Sequence, residues 1–163
     1  DTPHPESLID GDLVAVYFSP DDGVVTHLID LIENADNEIN MLAFALTSDP
    51  LAEALIDAHN RGVQVRIVVE KDQAEKTGSE VGALLEGGVD LRLDSNPNSM
   101  HHKVILIDDD TVITGSYNFS RSAEDYNDEN VMVLHNTELM AEYLVEFKRI
   151  YDRADLGSTG RAE

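Results

Sequence analysis

Two hydrophobic periods alternate along most of the chain, one typical of buried β-strands and the other of amphipathic helices. Short apolar runs predict strands at residues 13–18, 39–46, 63–69, 89–93, 100–108, 111–115 and 130–135. Helical spacing and capping residues predict helices that begin at Asp22-Gly23, Asp49-Pro50, Ala74 and Thr137. The main core positions are expected at Val24, Val25, Leu28, Ile29 and Ile32, at Leu51, Leu55 and Ala58, and at Leu139, Tyr143, Phe147 and Ile150.

The order of these elements predicts the fold class. Strands and helices alternate early, and a hairpin closed by Asp109-Asp110 follows. This order predicts a single α/β domain in which a mixed β-sheet lies between layers of helices. We expect residues 1–11 to form an N-terminal arm, 12–152 the domain and 153–163 a C-terminal tail. The polar segment 120–128 is expected to be irregular.

Composition changes this picture mainly through charge. The chain has 163 residues, and 11 Lys and Arg against 33 Asp and Glu give a net charge of −22. Such an excess strains a compact state unless salt screens it, so we hypothesise a host that accumulates concentrated salt; an ordinary acidic protein is the alternative. The absence of cysteine excludes disulfide scaffolds, thiolate zinc sites and cysteine nucleophiles.

No apolar run approaches the length of a membrane span, so we expect a soluble domain without stable membrane insertion. The chain begins at Asp1 rather than Met, which is compatible with removal of a signal peptide or of a longer N-terminal region. The sequence does not decide whether the protein is exported or lies in a high-salt cytoplasm.

The candidate chemistry lies in the predicted hairpin. His101 and Lys103 are two apart on a strand and share a face, and Ser116 and Asn118 have the same spacing after the turn. The hairpin can bring the four side chains together, while Gly115 permits close backbone approach. An ammonium and an amide can bind phosphate oxygens, and a neutral imidazole can attack phosphorus. We expect no metal, because nearby carboxylates are too few for a cage.

The pattern His101-x-Lys103-x4-Asp108-x6-Gly115-Ser116-x-Asn118 resembles the HKD signature of the phospholipase D superfamily. The chain is most similar to the small members with one motif, the bacterial Nuc-type endonucleases. The resemblance extends from about Leu13 to Tyr151 and includes the segment 61–70. It implies the phospholipase D-like fold and a phosphodiesterase that needs no cofactor.

The resemblance also implies roles for individual residues. His101 matches the nucleophile, and Lys103, Ser116 and Asn118 match the phosphate ligands. Glu129 matches the acid that orients the nucleophilic histidine. Asp108 and Gly115 match structural positions of the motif, and strand parity places Asp108 opposite His101 as a hydrogen-bonding residue. His102 occupies a variable position and receives no role.

A count of histidines predicts the quaternary structure. The mechanism implied by the resemblance needs one histidine to attack and a second to protonate the leaving oxygen and activate water. Larger family members carry two motifs in one chain, whereas this chain has one. Activity therefore implies a homodimer in which two His101 side chains face each other across a two-fold axis.

The expected substrate is nucleic acid, DNA or RNA, cleaved by a nonspecific endonuclease. The charge of −22 opposes binding of a polyanion unless salt screens it or local cations such as Arg66, Arg92 and Arg121 line the groove. A phospholipid phosphodiesterase is the less favoured enzyme, because no basic amphipathic helix is evident for docking on a bilayer. A module that binds nucleic acid without turnover is the non-enzymatic alternative.

Overall fold

A nine-stranded mixed sheet runs through residues 2–157, the part of the chain that the computed structural model describes. The strands are β1 (Glu6–Ile9), β2 (Asp12–Ser19), β3 (Glu38–Ala43), β4 (Leu46–Thr47), β5 (Gln64–Val69), β6 (Asp90–Leu93), β7 (Lys103–Ile107), β8 (Thr111–Gly115), β9 (Phe119–Ser120), β10 (Glu129–His135) and β11 (Asp155–Leu156). The helices are α1 (Val24–Glu33), α2 (Asp49–Arg61), α3 (Lys71–Ala74), α4 (Val81–Glu86), α5 (Arg121–Asp125) and α6 (Thr137–Arg153).

The strands of the large sheet follow the order β1-β2-β10-β8-β7-β3-β5-β6-β11. β3, β5 and β6 are parallel, and α2 and then α3 and α4 connect them. The other neighbours in this sheet are antiparallel, including the hairpin of β7 and β8. The predicted combination of early crossovers and a late hairpin is confirmed.

Helices cover both faces of the sheet. On one face, α1 and α2 bury side chains such as Leu28 and Leu55 against residues that include Met41 and Ile67. On the other face, Phe147 of α6 belongs to a second apolar cluster. This cluster also contains Leu42, Val68, Met100, Val104, Leu106, Val112, Met140 and Ile150. The predicted α/β domain with a mixed sheet between helix layers is therefore confirmed.

Several elements differ from the sequence prediction. Residues 6–9 were expected in an irregular arm but form β1, which pairs with β2 in antiparallel register. Residues 155–156 of the expected tail form β11 against β6, and residues 158–163 lie outside the described part. Both strands complete the sheet edges through backbone pairing, which side-chain periodicity does not reveal.

Further differences concern short elements and one helix cap. The helix predicted over 74–85, with interruptions expected at Gly78 and Gly82, is replaced by α3, which ends at Ala74, and α4; Gly78 between them has a φ of 81°. Residues 121–125 form α5, although the segment 120–128 was expected to be irregular. A second sheet, of two parallel strands, joins β4 to β9. The last helix is capped by Asn136 rather than Thr137, through a side-chain bond from the Leu139 N–H of 2.7 Å.

The topology brings Lys103 and Gly115 of the motif to one end of the large sheet. The register pairs Ala43, the last residue of β3, with Lys103, the first residue of β7. Val104 pairs with Thr114, so that Lys103 lies beside Gly115 at the end of β8. Val131 of β10 pairs with Gly115 from the other side. Four neighbouring strands, β3, β7, β8 and β10, therefore meet at this end of the sheet.

Candidate active site

His101 and Lys103 lie together at the start of β7. The Lys103 Nζ is 3.2 Å from His101 Nδ1 and 3.4 Å from Nε2, and it donates to the His101 carbonyl oxygen at 2.9 Å. His101 is exposed and Lys103 is half-buried. The structure therefore places a solvent-accessible imidazole and an ammonium side by side, on the face that their spacing predicts.

Ser116 and Asn118 lie just after the end of β8, the strand that pairs with β7. Gly115 is required just before them, because a Cβ at this position would lie 2.1 Å from the Asn130 carbonyl oxygen. The Ser116 hydroxyl donates to Glu129 and accepts from the Asn130 N–H at 3.1 Å. The Oδ1 of Asn118 is buried and has no hydrogen-bond partner among the residues described. Among the described residues, no donor therefore bonds to the side-chain oxygen of Asn118.

Glu129 occupies a different place from the one expected. Its carboxylate accepts from Ser116 and from Asn127 Nδ2, the latter at 3.1 Å. No hydrogen bond joins Glu129 to the His101 ring within residues 2–157, so the expected orienting contact is absent from this structure. The Ser116 hydroxyl engages one carboxylate oxygen and the Asn127 amide engages the other, and the His101 ring contacts Lys103 instead.

Glu129 nevertheless acts on Lys103 through its charge. Burial lowers the pKa of the Lys103 ammonium, and the negative charge of Glu129 raises it by less, so the net shift is downward. The Glu129 carboxylate, which bonds to Ser116, thus favours the charged form of Lys103.

Asp108 lies at the opposite end of β7. Its carboxylate accepts hydrogen bonds from the backbone N–H groups of Asp36, Asn37 and Glu38, at 2.9, 2.7 and 3.0 Å. It lies five positions along the strand from Lys103, a distance of roughly 16 Å. Asp108 therefore ties the loop before β3 to the hairpin and does not reach the His101 cluster.

The sequence analysis did not identify two residues that support the cluster, the aromatic Phe44 and the acidic Glu70. The Phe44 ring packs on His101 with a centroid separation of 4.4 Å and an interplanar angle of 58°. Glu70, only 5% exposed, accepts from the Met100 N–H at 2.6 Å and fixes the segment that leads to His101. Each residue immediately follows a buried parallel strand, a position where side chains gather at one sheet edge. That position is the feature of the sequence from which their place near the site could have been predicted.

His102 points away from this cluster. Its Nε2 lies 3.6 Å from a carboxylate oxygen of Glu146 in α6, and burial lowers the pKa of the imidazole. The Nδ1 is buried without a partner among the described residues. His102 thus packs between β7 and α6.

The three candidate arginines are engaged elsewhere. Arg66 bonds to Glu38 and Asn40, at 2.6 and 2.8 Å. Arg92 donates to the Tyr151 carbonyl at 3.0 Å and stacks on its ring at 3.7 Å from the centroid. Arg121 pairs with Asp125 at 3.0 Å, although it is highly exposed and lines a cavity of about 410 Å³ with residues that include Thr47 and Ser48. Lys103 is therefore the cation that the structure brings to the cluster.

The described residues contain neither a cluster of metal-ligating side chains nor a helix able to span a membrane. No group of three or more His, Asp or Glu side chains lies close enough together there to hold a metal ion. In the same part of the chain, every helix is too short or too polar to cross a membrane. The structure places the exposed imidazole of His101 beside the ammonium of Lys103, and Ser116 and Asn118 follow the neighbouring strand β8. An imidazole, an ammonium, a hydroxyl and an amide are groups suited to binding and attacking a phosphate diester.

Comparisons with known proteins give consistent matches. Residues 28–151 match the family described as "Cardiolipin synthase, PLD-like domain". A mitochondrial cardiolipin hydrolase of Chlamydomonas reinhardtii is 32% identical over 128 residues, 78% of this chain and 57% of that protein. A phospholipase D of Rickettsia bellii is 37% identical over 131 residues, 80% of this chain and 65% of that protein. The chain thus spans less than two thirds of the length of these two relatives.

The fold has a solved counterpart of similar size. The structure of Nuc from Salmonella typhimurium, described as a phospholipase D family member, matches with a TM-score of 0.86 at 32% identity. The match covers 90% of this chain and 98% of that one. NucT from Helicobacter pylori matches with a TM-score of 0.82 at 22% identity, which supports the fold alone.

Proposed function

Because the chain belongs to the family of phospholipase D-like domains, we propose that it is a nonspecific endonuclease that needs no metal and acts through a covalent phosphohistidine. The observation that carries this proposal is the contact of His101 with Lys103 at one exposed end of the sheet, where Ser116 and Asn118 follow the neighbouring strand β8. The similarity to Nuc, over almost its whole length, supports nucleic acid as the substrate.

The first half of the reaction forms the intermediate. A neutral nitrogen of His101 attacks phosphorus, a P–N bond forms and the bond to the leaving oxygen breaks. Lys103, Ser116 and Asn118 bind the non-bridging oxygens, where negative charge is concentrated in the transition state. The leaving oxygen takes a proton from a second imidazole, the partner's His101.

The second half regenerates the enzyme. The second imidazole, now neutral, removes a proton from water, and the water oxygen attacks phosphorus as the P–N bond breaks. The product is a phosphomonoester. Glu129 supports both halves by holding Ser116 and, through its charge, by favouring the protonated form of Lys103.

The second imidazole makes a homodimer part of the proposal. On the α6 side of the sheet, α6 packs over β8, β7, β3 and β5. The neighbouring strands β2 and β10 continue this face beside the cluster, since Asn130 pairs with Phe18. The alternate residues that share this face beside the cluster are uncharged, in a chain with 33 acids. They are Val14, Val16, Phe18, Asn130, Met132 and Leu134, and the acid Asp12 lies at the far end of β2. An uncharged apolar surface is where two copies of so acidic a chain repel each other least.

Sedimentation tests this interface. Phe18 is 49% exposed, and Phe18→Glu should give monomers that no longer cleave, because charge is buried without a partner. Leu156→Glu is the matched control, since Leu156 is 76% exposed at the far edge of the sheet in β11. A wild-type protein that is monomeric and active would contradict the homodimer, and a dimeric Phe18→Glu would exclude this face.

Cleavage of labelled single-stranded DNA in EDTA and molar KCl tests the activity. The wild type should cleave and His101→Ala should not, while His59→Ala on α2 should cleave as well as the wild type. Failure of the wild type with DNA and with RNA would refute the nuclease. Equal cleavage by His101→Ala would exclude His101 as nucleophile, and binding without turnover by both would favour a binding module.

A phospholipid phosphodiesterase is the second candidate. Its support is the similarity to proteins named cardiolipin hydrolase and phospholipase D, at 32% and 37% identity. Vesicles containing cardiolipin provide the test, with phosphatidic acid as the product detected. Release by the wild type and not by His101→Ala, without cleavage of nucleic acid, would favour this reaction.

We also propose that the acidic surface is adapted to concentrated salt. The net charge of −22 implies strong self-repulsion in dilute buffer, which a short Debye length relieves. The same screening would permit a polyanion to approach Lys103. Stability as a function of KCl tests this proposal.

A further inference from the structure

Phe44 contacts both of the groups on which the proposed reaction depends. Its ring packs on the His101 imidazole, with a centroid distance of 4.4 Å and a tilt of 58°. The Lys103 Nζ lies 5.1 Å from the centroid of the same ring. A tilted ring pair and a cation over an aromatic face are both attractive arrangements. One aromatic side chain therefore links the imidazole to the ammonium.

The imidazole has little else to hold it. His101 is exposed and lies two residues before the start of β7, outside regular secondary structure. Within the described residues its ring has Lys103 as its hydrogen-bonding neighbour, and Lys103 is nearly equidistant from both ring nitrogens. An ammonium so placed does not select one ring orientation, since it can approach either nitrogen.

Phe44 itself is firmly anchored. Its N–H donates to the His102 carbonyl oxygen at 2.9 Å, which extends the pairing of β3 and β7 by one residue. The preceding Ala43 is buried and accepts from the Glu70 N–H at 3.0 Å. Phe44 is therefore bonded through its backbone to the residue between His101 and Lys103, so its ring extends from a fixed backbone position.

From these contacts we propose that Phe44 is a positioning residue: its ring holds the His101 imidazole and the Lys103 ammonium in the relative orientation needed for attack on phosphorus. The inference rests on the proposed phosphodiesterase function. Phe44 makes no bond to substrate, so its effect is on the fraction of enzyme with a correctly aligned nucleophile. That fraction enters kcat, whereas substrate affinity is shared between Lys103 and two further phosphate ligands, Ser116 and Asn118, so KM should change less than kcat.

The test compares Phe44→Leu and Phe44→Met with Phe44→Tyr, using a small chromogenic phosphodiester in EDTA and molar KCl. Both non-aromatic variants keep apolar volume and should lower kcat about tenfold or more, with KM changed by less than about twofold. Phe44→Tyr keeps the ring and should stay within about twofold of the wild type. Two non-aromatic variants guard against the failure of one to fold.

Tyr151→Leu is the matched control. Tyr151 is also a half-buried aromatic that stacks on a ring, Phe147 at 5.4 Å, and lies under a cation, Arg92 at 3.7 Å. It belongs to α6 beside β6, so its loss should leave kcat unchanged.

The possible results distinguish the positioning role of Phe44 from the phosphodiesterase activity on which it rests. A folded Phe44→Leu or Phe44→Met with the wild-type kcat would overturn the positioning role while leaving the phosphodiesterase intact. So would a loss in Phe44→Tyr equal to that in Phe44→Leu, because aromatic contact would then be irrelevant. A wild type that cleaves no diester would overturn the proposed function and with it this inference.

Discussion

Asp108→Asn is expected to destabilise the protein without slowing its chemistry. In the native protein one carboxylate oxygen accepts from the Asn37 and Glu38 N–H groups, and the other accepts from Asp36. Asparagine has nearly the same shape and tolerates the positive φ of 51° at this position. Its NH2 group cannot accept a hydrogen bond, so one of the three bonds is lost and the other two become neutral.

The magnitude follows from these three bonds. A hydrogen bond to a charged group contributes roughly 1 kcal/mol more than a neutral one, and an unpaired donor costs about 1 kcal/mol where water can replace the acceptor. Asp108 is half-buried and two of the bonds are exposed, so solvent screening reduces the sum. We expect the free energy of unfolding to fall by about 2 kcal/mol, equivalent to roughly 4–8 °C in Tm.

The loss should depend on pH in a defined direction. Burial raises the pKa of Asp108, but the three backbone donors together outweigh it and hold the pKa below its usual value. A depressed carboxyl pKa stabilises the fold above the pKa of the unfolded chain, and this contribution is lost as pH falls through the native pKa. The difference between wild type and Asp108→Asn should be complete at neutral pH and should close in acid.

Urea unfolding in molar KCl, at neutral pH and along an acid series, measures this difference. Asp109→Asn is the control, because this neighbouring acid is exposed and its side chain makes no hydrogen bond within residues 2–157. Asp108 lies roughly 16 Å along β7 from Lys103, so kcat should stay within about twofold of the wild type. A stability change below about 0.5 kcal/mol, or one independent of pH, would refute the reasoning.

The remaining predictions concern the motif backbone and the surface charge. Gly115→Ala should cost about 3 kcal/mol in urea unfolding, because its Cβ would meet the Asn130 carbonyl oxygen at 2.1 Å. Gly82→Ala in α4, with nothing within 4 Å, should be neutral or stabilising. Tyr117→Phe should lose roughly 1–2 kcal/mol, since the buried phenol donates to Glu124 at 2.8 Å; an unchanged Tm would contradict this bond. Raising KCl from dilute to molar should raise Tm, and a flat response would argue against adaptation to salt.

The local sequence pattern was sufficient to predict most of the helices and strands. The main helices and the long strands follow from hydrophobic period, because a core-facing stripe must repeat with the geometry of its own element. The motif spacing likewise placed Lys103 beside His101, since residues two apart share a strand face. The turn at Asp109-Asp110 and the close approach at Gly115 follow from residue chemistry alone.

Tertiary structure decided what depends on partners distant in the chain. β1 and β11 exist because backbone groups pair at sheet edges, an interaction that leaves no side-chain signature. Asp108 meets backbone donors some 70 residues away, and Glu129 bonds to Ser116 rather than to His101. Phe44 reaches His101 because β3 and β7 are adjacent, a neighbourhood set by the sheet order. Spacing in sequence thus identified which groups carry the chemistry, whereas packing of separate strands determined how each is held.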